Sequence, residues 1–161
     1  MKHLTLILAF LMTLSLPVSA QDWSKGLKAY ISGDYKSTLQ EWMPLAKAGP
    51  ADAQRGIGLM YEDGNGVPQD HKVAMTWYRL AAAQNHGIAS FSIGTMYEFG
   101  TGVLEDYAMA HMWYNISNAN GEEIAKEYMN DIARKMTKED ISKAQAMARK
   151  CMSSNYKDCS Y

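Results

Sequence analysis

The chain has 161 residues, of which 47% are hydrophobic and 20% charged, with a formal net charge of −1. That is apolar material enough for one packed domain. The near-neutral balance excludes the basic footprint of a nucleic-acid-binding surface and supplies no strong acidic field.

The first twenty residues read as a secretory signal peptide. Lys2 and His3 form a short polar start, Leu4 to Leu16 is apolar but for Thr5, Thr13 and Ser15, Pro17 breaks the run, and Val18-Ser19-Ala20 supplies the small residues of a cut after Ala20. The competing reading is a membrane anchor, but the run falls short of the ~20 residues a span needs. No cysteine follows it for lipid attachment. Cleavage would leave 161 − 20 = 141 residues, and losing Lys2 changes the balance from 16 − 17 to 15 − 17, a net charge of −2. No later segment is apolar enough to span a bilayer, so the expectation is an exported, soluble product, periplasmic or secreted.

Residues 21–50 read as a partial N-terminal repeat unit. Ala29-Tyr30, Gly33-Asp34-Tyr35 and Leu39 lead into Trp42, Leu45, Ala46 and Gly49. Trp42 and Tyr78 each lie seven residues before a closing position, Gly49 or Asn85, so Trp42 is expected in the place of Tyr78.

Residues 51–86 and 87–121 are two full copies of a 36-residue unit. Shifting the chain on itself by that period brings Gly58 onto Gly94, Met60-Tyr61-Glu62 onto Met96-Tyr97-Glu98, and Gly64, Gly66 and Val67 onto Gly100, Gly102 and Val103. Asp70 meets Asp106, Ala74 meets Ala110, and Trp77-Tyr78 meets Trp113-Tyr114. Apolar spacing places Ala53, Ile57, Gly58 and Tyr61 on one face of a first helix. Ala74, Trp77, Tyr78 and Ala81 make the buried stripe of a second. A mid-helix glycine costs about 1 kcal/mol against alanine, so Gly58 and Gly94 predict another helix packed closely there. Gly64 and Gly100 are expected as left-handed caps, and Asp70 and Asp106 as N-caps of the second helices.

Residues 122–161 are expected to cap the array. Ile124-Ala125 repeats Ile88-Ala89 and starts another first helix, after which the pattern is lost. Thr137 and Asp140 make a capping box with Asp for the usual Glu, opening a last helix from about Lys138 to Met152. Atypical terminal units are what a solenoid needs where it meets water. Cys151 and Cys159 are the only cysteines. In an exported chain they predict a disulfide.

The run Ala53-Gln54, Ile57-Gly58, Tyr61, Gly64-Asn65-Gly66-Val67, Asp70, Ala74, Trp77-Tyr78 and Ala81-Ala82, matched again one period on, resembles the Sel1-like repeat, a relative of the tetratricopeptide repeat. The resemblance implies an all-α fold, a right-handed α-solenoid of antiparallel helix pairs. It also implies a non-catalytic adaptor that binds another protein, with no cofactor. Exported bacterial members of that family are connected with envelope processes and host interaction, and some with cell-wall or β-lactam-like ligands. A second expectation is therefore an envelope-glycan (peptidoglycan) binder or a modulator of an envelope enzyme. A third, weaker one is a β-lactam-hydrolase-like enzyme. Two full copies make a short groove, which leaves self-association as a further possibility.

In such solenoids the first helices line the concave face. Positions there that the repeat does not fix stack in rows: Arg55, Phe91 and Glu127; Leu59, Thr95 and Asp131; with Glu62 and Glu98 near the turns and Phe99 apolar beyond the pattern. Aromatic and arginine side chains are common binding anchors, and these nine residues are the candidate partner groove. Other chemistries fit poorly. Twelve methionines invite a soft-metal reading, but Met60 and Met96 recur at core positions and His71, His86 and His111 are scattered. Asp63-Gly64-Asn65 lacks the bidentate glutamate of a calcium loop. The glycine pairs follow helices and lack the lysine of a phosphate loop. No G-x-S-x-G elbow exists, and neither cysteine has a histidine near it in sequence.

Overall fold

The computed structural model describes residues 20–160, so the expected signal peptide lies almost wholly outside the described residues. These residues form eight helices and no strand: α1 (Ala20–Ile31), α2 (Tyr35–Ala48), α3 (Ala51–Asp63), α4 (His71–Ala82), α5 (Gly87–Phe99), α6 (Tyr107–Ala119), α7 (Ile124–Ala133) and α8 (Lys138–Ser153). From α1 to α7 each helix packs on the next in chain order.

The turns explain the pairing. Gly64 and Gly100 end α3 and α5 in the left-handed conformation, at φ 72° and 65°, and their N–H groups bond back to Met60 and Met96. Asp70 then caps α4 by accepting from the N–H groups of Lys72 and Val73, and Asp106 caps α6 through Met109 N–H. The second turn glycine has a further task. A Cβ on Gly66 would lie 2.8 Å from Tyr35 Cβ, and one on Gly102 would lie 2.5 Å from His71 Cβ. Tyr35 and His71 are the first residues of α2 and α4. Each glycine-rich turn thus rests on the start of the preceding unit's second helix, and that contact fixes unit on unit.

The first unit contains both helices. Its turn is residues 32–34, against 64–70 in the next unit, a difference of four. Asp34 caps α2 by accepting from Ser37 N–H.

The last unit departs from the pattern. The positions one period beyond Gly100 and Gly102 are Met136 and Lys138, so no glycine turn can form. α7 and α8 pack against α6 instead of making an extensive contact with each other. α8 buries Ala144, Met147, Ala148 and Cys151 in the central core with Met109, Met112, Trp113 and Ile116 of α6. This is why Trp113 is fully buried while its counterpart Trp77, without such a cover, is only half-buried. Thr137 caps α8, its hydroxyl accepting from Asp140 N–H at 3.1 Å and donating to the Asp140 carboxylate at 2.7 Å. Cys151 and Cys159 form the expected disulfide, with Cα atoms 4.5 Å apart.

Helix α6 also buries a histidine. His111, buried in α6, stands where the preceding repeat has Met75, and its Nδ1 has no hydrogen-bond partner. Burial lowers its pKa below the ordinary value. The folded state therefore takes up this proton less readily than the unfolded chain, whose histidines titrate near 6.5. The stability associated with neutral His111 is complete above about pH 6.5 and is lost as pH falls through the lower folded value. His111→Met should stabilise the protein by about 1 kcal/mol at neutral pH, by removing an unsatisfied buried group. It should also flatten the loss of stability on acidification. Denaturant melts from pH 7 to 5 check this, and parallel slopes for the two proteins would contradict it.

Candidate binding face

One contact is built three times. The ring of Tyr78, from α4, lies against Gly58 of α3, where a Cβ would come within 2.5 Å of it. Tyr114, from α6, lies against Gly94 of α5 in the same way, at 2.6 Å. In the first unit Trp42 occupies this place against Gly26, where a Cβ would approach to 2.2 Å. The spacing from glycine to aromatic is 78 − 58 = 20 and 114 − 94 = 20, but 42 − 26 = 16, which absorbs the shorter first turn. Each glycine thus opens a gap through which a second-helix aromatic reaches the first helices.

The polar ends of these rings are held there. Tyr78 hydroxyl donates to Glu62, and Tyr114 hydroxyl donates to Glu98 at 2.6 Å. The Trp42 indole N–H donates to the carbonyl of Trp23 at 3.2 Å, and the two indoles stack with centroids 4.3 Å apart. Burial, reinforced by the neighbouring glutamates, raises both tyrosine pKa values far above the ordinary range. Both phenols stay protonated as donors, so neither is poised as a nucleophile or base.

The nine sequence-derived candidates separate into distinct settings. Glu62 and Glu98 accept from the two tyrosines, and Glu98 also lies 3.9 Å from Lys135 Nζ. Phe91 is half-buried, with its ring centroid 5.3 Å from Tyr114 and 4.9 Å from Tyr128. Arg55, Leu59 and Thr95 are half-buried on α3 and α5. The Thr95 hydroxyl is engaged within its own helix, donating to the Ser92 carbonyl at 2.8 Å. Glu127 and Asp131 are exposed on α7, where Asp131 pairs with Arg134 at 2.9 Å. Phe99 ends α5 and is 67% exposed; Leu104, on the turn after it, is 89% exposed.

Sequence reasoning missed the Tyr–Glu pairs, although their signal was present. Both tyrosines lie 16 residues after their glutamates (78 − 62 and 114 − 98), and all four residues obey the 36-residue period. It also missed Tyr128 and Lys135, which belong to the unit where the period fails. Among the described residues no group of three or more His, Cys, Asp or Glu is placed to hold a metal ion. No described helix is long and apolar enough to cross a membrane.

The Sel1 repeat family model matches residues 51–86 and 88–122. The solved structure of a Sel1 repeat protein from Oxalobacter formigenes is 32% identical over 71% of this chain and 89% of its own, with a TM-score of 0.61. A protective antigen present in uropathogenic Escherichia coli strains, which displays an SLR fold, is 23% identical and superposes with a TM-score of 0.77. That match covers 84% of this chain but 31% of the antigen, so the chain spans about a third of its length and shares the fold alone. No curated protein matches the chain. Sel1 repeat proteins generally mediate protein–protein interaction, and the fold is typically a non-catalytic scaffold. Glycines matched to second-helix aromatics, paired turn glycines and aspartate caps, together with these likenesses, place the chain in the Sel1 repeat family.

Proposed function

We propose that the protein is an exported adaptor, periplasmic or secreted, that captures a partner protein on its first-helix face without catalysing a reaction. The observation carrying this reading is the division of labour on α3 and α5. Residues that obey the period are consumed by caps, turns and the threaded tyrosines, whereas Arg55, Leu59 and Thr95 differ from or stand outside the repeat. The signal-peptide pattern supports export, and the disulfide fits an oxidising compartment. Exposed Phe99 and Leu104 extend the available surface beyond the turn.

Crosslinking in the native envelope followed by mass spectrometry tests the reading. The expected product is one reproducible adduct with another protein. Recovery of glycan fragments alone would overturn the adaptor reading in favour of an envelope-glycan binder. Phe91 is a poor probe, because truncating it would strip packing from Tyr114 and Tyr128. Thr95→Lys adds bulk and charge, and the Thr95–Ser92 bond it removes is local to one helical turn. It should cut capture about tenfold or more with little change in Tm, since a misplaced charge at a contact centre is strongly disfavoured. Unchanged capture by this variant would move the interface elsewhere.

A further inference from the structure

Arg55 is a half-buried cation that makes no hydrogen bond or ion pair among the described residues, and its Nε is buried and unsatisfied. A guanidinium carries five donors, and a buried donor without a partner is destabilising. No carboxylate of the described residues pairs with it; nearby, Glu62 accepts from Tyr78 instead. The repeat does not demand arginine here. One period on the position is Phe91, whose ring packs on Tyr114, the counterpart of Tyr78. An apolar side chain would serve the architecture equally well.

The surroundings of Arg55 narrow what it can take. Its charge reaches the hydroxyls of Tyr30 on α1 and Tyr78 on α4, opposing the rise that burial gives both. Glu62 and Asp63 lie near the same hydroxyls, so a polyanion would be repelled. Leu59 stands one turn along the helix, offering apolar contact. We propose that Arg55 is the docking point for a single carboxylate of a partner peptide, flanked in that peptide by an apolar residue. The carboxylate takes the guanidinium donors in a charge-assisted, bidentate pair, and the apolar neighbour rests on Leu59. A C-terminal carboxylate and an aspartate or glutamate side chain supply the same chemistry. This rests on the adaptor reading and names the group recognised.

The test uses the full chain and three dye-labelled peptides, read by fluorescence anisotropy. One ends in Ala-Leu-Phe with a free carboxylate, the second is the same peptide amidated, and the third is amidated with an internal Glu-Leu. The expected result is saturable binding of at least one carboxylate peptide, about tenfold or more tighter than the amidated control. Whichever of the two binds identifies the carboxylate's source. Arg55→Gln should reduce binding to the control level. Arg55→Phe, which installs the second repeat's own residue and should fold, should do the same. Equal binding of all three peptides, no saturation at millimolar concentrations, or undiminished binding by Arg55→Phe would overturn the proposal. If a native partner still crosslinks to Leu59 or Thr95 in the Arg55→Phe protein, the adaptor reading survives and the carboxylate assignment fails. If no protein partner crosslinks at all, the adaptor reading itself fails.

Discussion

Alanine at both Gly58 and Gly94 is expected to destabilise the protein by about 4 kcal/mol, although alanine is the better helix former. Each substitution regains about 1 kcal/mol of helix propensity. Against that, each new Cβ would lie 2.5 or 2.6 Å from a tyrosine ring. The rings cannot simply turn away. Tyr78 is tied to Glu62 and Tyr114 to Glu98, and both rings are fully buried. Overpacking of this kind costs about 1–3 kcal/mol per site, and loss of the tyrosine bond adds about 1 kcal/mol. The two sites have separate tyrosine partners, so their effects should add. The melting temperature should fall by about 8–16 °C. A double-mutant cycle gives the specific check: Gly58→Ala should be much less harmful in a Tyr78→Ala background. Equal cost in both backgrounds would show that the glycine answers to something other than the ring.

Loss of the Cys151–Cys159 bond should cost about 2.5 kcal/mol by the loop-entropy argument for so short a ring, or about 5–10 °C in Tm. The tail it closes is tied down at several points. Lys150 pairs with Asp158 at 2.7 Å, and Ser154 hydroxyl accepts from Asp158 N–H at 3.0 Å. Asn155 and Tyr156 both hold positive φ, 52° and 62°, which non-glycine residues adopt only under local constraint. Tyr156 hydroxyl then donates to Asn85 Oδ1 at 3.0 Å and accepts from Asn120 Nδ2 at 2.9 Å, joining the ends of α4 and α6. Replacing both cysteines with serine should therefore loosen this clasp and α8 with it. Amide exchange should rise in α8 and along the α6 face it covers, while α1 to α3 stay protected. Reductant should reproduce the effect in the parent chain and add nothing to the variant. Uniform exchange across all helices would contradict the local account.

The helical repeat was legible because its marks are one-residue requirements repeated at a fixed period. Positive φ needs glycine at 64 and 100, and an exposed N–H needs an aspartate cap at 70 and 106. The close approach at Gly58 and Gly94 was legible too, though not its occupant. The occupant was encoded in a second co-repeating pair, Tyr with Glu at a spacing of 16, whose meaning appears only when α4 is laid across α3. Glu62 and Glu98, expected as groove charges, obey the period as strictly as the glycines and accept from these tyrosines. The return of α8 over α6 was harder to foresee. It depends on apolar surface left by α6 and on the missing glycines at 136 and 138, not on any motif within α8. The aromatic contact of Phe91 with Tyr128 and the ion pair of Glu98 with Lys135 both depend on α7 and the turn after it, where the period had ended.

The central claim is that the first-helix face, at positions the repeat leaves free, receives a partner protein. Site-specific photocrosslinking tests it most directly. A benzoylphenylalanine placed at Leu59 or Thr95, on α3 and α5, is compared in the native envelope with one placed at Lys72 or Thr76, exposed on α4. The account predicts the same protein adduct from both first-helix positions and none from the second-helix pair. Adducts confined to α4, or none from either face, would contradict it.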